Sequence, residues 1–205
     1  MKRKKTSKNW INKNNKEYFF KQSKLFGYRS RSAFKLIEMN KKFKFLKKKI
    51  TLLDLGSAPG GWSQVAIKES PNANILAVDI KDMEKINGVT FLKGDLCSID
   101  IYKKIRNFYG CKIDAVISDM AANTTGNKSL DTYRTGDLCM SAMELSVKLL
   151  SKDGVFLSKL FMGSIFEEIN KKAKGYFKNV IKYKPISSKK ESKEIYIYCK
   201  GVLNI

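Results

Sequence analysis

The segment Leu52-Leu53-Asp54-Leu55-Gly56-Ser57-Ala58-Pro59-Gly60-Gly61-Trp62-Ser63-Gln64 constrains this chain more than any other. The run from Ile50 to Leu55 is apolar except for Thr51 and Asp54, which predicts a strand covered on both faces. Gly56 and Gly60-Gly61 then permit a tight turn whose backbone can approach a ligand with no Cβ in the way. A helix opens after them. Strand, glycine turn and helix mark the place where an open α/β sheet binds a nucleotide-like ligand. The spacing is G-x-x-x-G-G and not G-x-G-x-x-G, so no pyrophosphate clamp is predicted. Asp54, an acid within the strand, points to a ligand that carries positive charge. S-adenosylmethionine, with its sulfonium and amino groups, meets that requirement better than NAD.

The chain repeats the theme downstream. Asn74-Ile75-Leu76-Ala77-Val78-Asp79 is a second short apolar strand, and its acid follows the glycines by about 20 residues, as a ribose-binding acid should. Val89-Thr90-Phe91-Leu92 is a third strand, followed by Lys93-Gly94-Asp95, where a carboxylate can hold an adenine amino group directly or through water. Ile113-Asp114-Ala115-Val116-Ile117-Ser118-Asp119 is a fourth, again with an acid at its carboxyl end. Any one of these acids is explained as well by a helix N-cap or a turn. With Asp54, four acids at or near the ends of successive strands form a pattern that capping alone does not produce.

The remaining elements follow from periodicity. A helix is predicted from Arg29 to Asn40, with Ala33, Phe34, Leu36 and Ile37 as its apolar stripe and Lys35 off the stripe, facing a cleft. Asp131 to Leu150 reads as a long helix that Lys152-Asp153-Gly154 closes before the next strand, and Ser164 to Lys174 as another helix. Tyr176 to Tyr183 and Glu194 to Cys199 read as closing strands, the second alternating like an antiparallel edge pair. Met1 to Asn15 is a polar Lys/Asn-rich tail, expected to be disordered without a partner, ahead of one domain over residues 16–205. Trp10, Tyr18, Phe19 and Phe20 alternate with lysines. That pattern suits base stacking with phosphate contact, or equally an N-terminal helix packed on the core.

Charge narrows the partner. Lys and Arg number 41 against 19 acids in 205 residues, a formal net charge of +22, which concentrates polyanions at the surface. Part of that excess is a drift toward Lys, Asn and Ile, the residues of A/T-rich codons. Cys97, Cys111, Cys139 and Cys199 are scattered with no C-x-x-C pair, so neither a structural zinc nor a disulfide framework is expected, and no metal site is assigned. The chain has no histidine, so any proton transfer falls to Lys, Asp, Glu or Tyr. No apolar run reaches the length of a membrane span, and there is no signal-peptide core. The expected setting is the cytoplasm, or an organellar matrix if the source is eukaryotic.

Four separated motifs, in order, carry a resemblance. Tyr28-Arg29-Ser30-Arg31-Ser32-Ala33-Phe34-Lys35-Leu36, the Asp54 to Gln64 turn, Ser118-Asp119-Met120-Ala121-Ala122-Asn123 and Ser192-Lys193-Glu194-Ile195-Tyr196 resemble those of the FtsJ/RrmJ (RlmE) family of large-subunit ribosomal RNA 2′-O-methyltransferases. The likeness runs from about Trp10 to near the C-terminus. It implies a Rossmann-like class I methyltransferase fold: a seven-stranded, mostly parallel sheet with an antiparallel edge strand and helices on both faces. It also implies a Lys-Asp-Lys-Glu catalytic set, which falls on Lys35, Asp119, Lys159 and Glu194, with Lys159 in the strand Val155-Phe156-Leu157-Ser158-Lys159-Leu160. The donor is expected against Gly56, Ser57, Pro59, Gly60, Gly61 and Trp62, with Asp79 and Ile80 at its ribose. Asp95 and Leu96 are expected at the adenine, and Asp119 between donor and acceptor. Two departures concern substrate contacts: Ala122 replaces a proline common in its motif, and Lys189, Lys190 and Lys193 stand where arginines are frequent.

The residue types suit such chemistry. A ribose 2′-hydroxyl is a poor nucleophile until its proton is removed, and the acceptor oxygen must be aligned in line with the methyl group. A lysine beside a second lysine and partly desolvated gives up its proton more readily, while neighbouring carboxylates pull the other way. Lys159 is the expected base, with Lys35, Asp119 and Glu194 orienting the amines and the substrate. The expected acceptor is a uridine of large-subunit ribosomal RNA in an assembling particle, and the expected enzyme a monomer. Three alternatives remain open at this point: the same reaction on a transfer-RNA anticodon loop or messenger-RNA cap, an NAD-dependent oxidoreductase, and a non-catalytic ribosome-assembly factor.

Overall fold

The computed structural model describes residues 17–123, 125–163, 165–189 and 191–203. The tail read from Met1 to Asn15 lies outside them, as does Trp10. Seven strands form one sheet: β1 (Thr51–Leu55), β2 (Asn74–Asp79), β3 (Val89–Lys93), β4 (Ile113–Ser118), β5 (Leu150–Phe161), β6 (Phe177–Tyr183) and β7 (Glu194–Val202). Their order is β3-β2-β1-β4-β5-β7-β6, with β1 to β5 parallel and β7 antiparallel to both β5 and β6. The expected Rossmann-like sheet, mostly parallel and finished by an antiparallel pair, is therefore present. The helices are α1 (17–25), α2 (Ala33–Phe43), α3 (Gly61–Glu69), α4 (Ile99–Tyr109), α5 (Lys128–Leu149) and α6 (Phe166–Tyr176).

Strand periodicity sorts the core into two layers. Leu53, Leu55, Val116 and Phe156 face α4, α5 and α6, packing with Ile105, Met143 and Ile169. The intervening residues Leu52, Ala115, Ile117 and Leu157 face α2 and α3, packing with Leu36, Met39, Trp62 and Val65. Every parallel strand thus points its carboxyl end to the same rim.

Several elements differ from the sequence reading. Residues 29–32 form turns and α2 begins only at Ala33. Its buried residues are Ala33, Lys35, Leu36 and Met39, so Lys35 belongs to the buried face instead of lying off it. Lys152-Asp153-Gly154 lies within β5, because Leu150 already pairs with Ile113 before the register shifts to Ala115–Val155. The alternation expected of β7 is lost, since Tyr196 to Cys199 are all buried between β5 and β6. Helix α4 is absent from the sequence reading, although Ser98 caps its start and Gly110 ends it in the left-handed conformation. The N-terminal aromatics divide. Phe19 packs 5.4 Å from Phe34, while Tyr18 and Phe20 remain exposed.

Candidate active site

The carboxyl ends of β1 to β4 enclose a cleft of about 440 Å³. The N–H groups of Gly56 and Ser57 both donate to the Val78 carbonyl, at 2.8 and 3.2 Å, which folds the turn after β1 down beside β2. Gly56 has φ +71°, and a Cβ there would lie 2.2 Å from Met120 Cγ, so this position excludes any side chain. Asp79, Ile80, Asp95, Leu96 and Asp119 line the cleft with Gly56, as do Lys81, Met120, Asn123 and Leu138. Asp79 is also a turn residue: Oδ2 accepts the Ala58 N–H and Oδ1 the Lys81 N–H, each at 2.8 Å. Each oxygen keeps a lone pair for a ligand hydroxyl. Asp95 Oδ1 similarly accepts the Cys97 N–H at 2.9 Å.

Ser57, Pro59, Gly60, Gly61 and Trp62, expected to touch the donor, do not line this cleft. Gly61 and Trp62 join the turn to the segment that leads into α2. A Cβ on Gly61 would sit 2.3 Å from Ser30 Oγ, so glycine lets α3 close onto the segment leading into α2. Trp62 is buried, donates from Nε1 to the Ser32 carbonyl at 2.9 Å, and lies 5.8 Å from the Tyr196 ring. Asp54 is not presented to a ligand either. It is 1% exposed, accepts from Ser63 Oγ at 2.6 Å, and its Oδ1 has no partner among the described residues. Burial, followed by repulsion from Asp119 and Asp79, pushes its carboxyl up to about 7 despite the Ser63 hydrogen bond.

Beside the cleft, four segments meet in an ionic cluster. Lys35 of α2 reaches both carboxylate oxygens of Glu194 at the start of β7, at 2.7 and 2.8 Å. Lys159 of β5 pairs with Asp119 Oδ1 at 3.1 Å and also donates to the Asp119 main-chain carbonyl. The Tyr196 hydroxyl donates to Asp119 Oδ1 at 2.7 Å, and Lys35 Nζ stands 5.7 Å from the Tyr196 ring centroid. Register explains the meeting. Lys159 pairs across the sheet with Tyr196, and Asp119 directly follows β4, the other neighbour of β5. Burial opposes ionisation of Asp119, but Lys159, Lys35 and the Tyr196 hydroxyl outweigh it and hold the carboxyl below the usual carboxylate range. Tyr196 is pushed well above the usual phenol range by burial and by Asp119 and Glu194, so its hydroxyl stays a donor.

All four residues of the expected catalytic set therefore gather in one place, and Asp119 belongs to both cluster and cleft. Tyr196 is a site residue that sequence reasoning misses, although a tyrosine two residues past Glu194 in a strand shares its face. Arg29 was likewise unassigned. Its guanidinium donates to the Pro59, Glu84 and Lys85 carbonyls at 3.1, 2.7 and 2.9 Å, tying the glycine turn to the loop after β2. Leu138 enters the cleft from α5, and nothing local in its sequence marks it.

A sheet in this order, with a nucleotide-sized cleft at the parallel strand ends and an acid shared with a lysine-rich cluster, is the arrangement of Rossmann-like methyltransferases. The chain belongs to the FtsJ-like methyltransferase family, whose model matches residues 28–202. It is 46% identical over 200 residues to the ribosomal RNA large subunit methyltransferase E of Pelagibacter ubique, covering 98% of both chains. Identity to the protein of the same name from Hahella chejuensis is 39%, again over 98% of both. Among solved structures, it is similar to a Plasmodium falciparum protein named as a ribosomal RNA methyltransferase, with TM-score 0.78 and 32% identity over 87% of this chain and 100% of that one. The Methanococcus jannaschii fibrillarin pre-rRNA processing protein shares the fold, with TM-score 0.55 at 14% identity over 77% of this chain and 68% of that one.

Proposed function

We propose that this chain methylates the ribose 2′-oxygen of a uridine in large-subunit ribosomal RNA, with S-adenosylmethionine as donor. Residues 16–205 act as one catalytic domain. The relatives named as large-subunit methyltransferases support the substrate class. The observation that carries the reading is the double membership of Asp119, which lines the cleft and holds Lys159. The shared residue sets a donor site beside an acceptor-activating site, the proximity that in-line transfer requires.

The cleft fits the donor. Its volume lies in the range for small-molecule sites, and its lining sets three carboxylates, Asp79, Asp95 and Asp119, beside Ile80, Leu96 and Met120. Asp79 holds the donor's ribose hydroxyls and Asp95 its adenine side, while Gly56 lets the backbone come close. The bound donor supplies an electrophilic methyl group on a positively charged sulfur. The protein's own residues act on the acceptor. Lys159, having first lost a proton to solvent, accepts the 2′-hydroxyl proton as the oxygen attacks. Asp119 and Tyr196 fix the amine's direction, and the Lys35–Glu194 pair forms the other wall of the acceptor site. The excess of lysine steers the RNA.

The test is mass-spectrometric mapping of ribose methylation in RNA from cells with and without the protein. The expected result is one missing 2′-O-methyluridine in large-subunit ribosomal RNA. Loss of a mark in transfer RNA alone would assign the chain to anticodon-loop modification, and unchanged RNA would refute catalysis.

A further inference from the structure

Helix α2 grips the end of the sheet twice. Lys35 takes Glu194, and one turn later Glu38 takes the chain that precedes it. The Glu38 carboxylate accepts four hydrogen bonds. Oε1 receives the Tyr183 hydroxyl and the Ile186 N–H, both at 2.7 Å, and Oε2 receives the Ser187 N–H and hydroxyl, both at 3.1 Å. Tyr183 ends β6 and the other donors lie in the turn between β6 and β7, so one carboxylate gathers the whole entrance of that turn. Ser187 and Ser188 are buried there despite their polarity. Ser187 is satisfied by Glu38. Ser188 turns the other way and donates from Oγ to Glu194 Oε1 at 2.8 Å, the oxygen that also lies 2.7 Å from Lys35.

We infer that Glu38 is a positioning residue for the Lys35–Glu194 pair, acting through Ser187 and Ser188 to fix the Glu194 carboxylate on the Lys35 amine. The inference rests on the proposed methyl-transfer reading. Without the Glu38 anchor, Ser188 keeps only its N–H bond to the Pro185 carbonyl to hold it within reach of Glu194, and the second support of the Lys35 pair is loosened. The same turn carries exposed Lys189. Burial and the Glu38 bond raise the Tyr183 hydroxyl to about 12.

The test compares the full-length protein with Glu38→Gln, by amide exchange and by single-turnover methyl transfer to large-subunit particles. The amides of Ile186 and Ser187, which bond Glu38, should exchange faster. So should those of Ser188 and Glu194, which bond Pro185 and Ser192 and lie beyond the direct contact. Turnover should fall on the order of 10- to 100-fold, the scale for a misplaced catalytic group, with donor affinity unchanged. Combining Glu38→Gln with Ser188→Ala should add little to either loss alone. Asn40→Ala, on the same helix but bonded to Leu46 and Glu69, is the control for loss of stability without loss of turnover. If Glu38→Gln does not fold, Ser187→Ala removes a single bond to Glu38 and should show the same pattern at smaller amplitude. Exchange confined to Ile186 and Ser187, turnover equal to the parent, or additive losses would overturn the inference. A parent protein that transfers no methyl group would refute the proposed reaction instead, and the exchange pattern would still decide the clamp.

Discussion

The two halves of the site are built by opposite means. The cleft is made by backbone: a glycine turn, carbonyls and amides that fix Asp79 and Asp95, and residues drawn from consecutive strands. The cluster is made by charge. Lys35, Asp119, Lys159 and Glu194 come from segments up to 159 residues apart, and each is held by a partner from another segment. A backbone-built site should tolerate side-chain loss with graded effects. A charge-built site should fail abruptly, because removing one member strands a buried charge.

The largest effect should come from the cluster. Lys159→Ala should lower single-turnover methyl transfer by on the order of 10²- to 10⁴-fold, the usual contribution of a general base, while calorimetry finds donor binding nearly intact. Asp119→Ala should be comparably severe and should weaken the donor as well, because this residue is common to both halves. A variant that lost only one of the two functions would break the comparison.

An intermediate effect should come from beneath the turn. The folded-state pKa of Asp54 is raised from 3.8 to about 7, so its contribution to stability is complete below the unfolded value and lost as pH rises through the folded one. Asp119, held low, titrates below this window. Between about pH 5 and about pH 8 the unfolding free energy should therefore fall by roughly 3 kcal/mol from Asp54 alone. Urea denaturation of Asp54→Asn should show that slope removed. An unchanged slope would mean that the buried carboxyl is solvated on opening of the turn.

The smallest effect should lie in the cleft. Asp79→Ala should weaken donor binding by roughly 1–3 kcal/mol, the scale for charge-assisted hydrogen bonds, with turnover at saturating donor close to the parent. Collapse of turnover at saturation would show that the cleft, too, depends on charge.

The same contrast explains what was legible in the sequence. The glycine turn and the strand-end acids are local patterns, and Asp79, Asp95 and Asp119 were placed at the rim from them alone. The burial of Trp62 was not legible, because an aromatic after a turn can face ligand or core, and only the approach of β7 brings Tyr196 against it. The depth of Asp54 is not legible, because its burial depends on Ser63 and the turn above it, not on its own strand. Lys35 reads as a break in the apolar stripe of α2. It is buried only because Glu194, 159 residues away, meets it. Its catalytic assignment came from the family resemblance, and no helix periodicity could have supplied it. The Glu38 clamp escaped for the same reason: its donors belong to a turn almost 150 residues downstream.

The central claim is that cleft and cluster form one machine for ribose methylation, with Lys159 taking a proton and not merely supplying charge. Its most direct test gives purified protein isotopically labelled S-adenosylmethionine and undermethylated large ribosomal subunits, and compares the parent with Lys159→Arg. A guanidinium keeps the charge but cannot accept a proton. The account predicts label on the 2′-oxygen of a single uridine with the parent, and none with the arginine variant although it still binds the donor. Label on a base, or an arginine variant turning over near the parental rate, would contradict it.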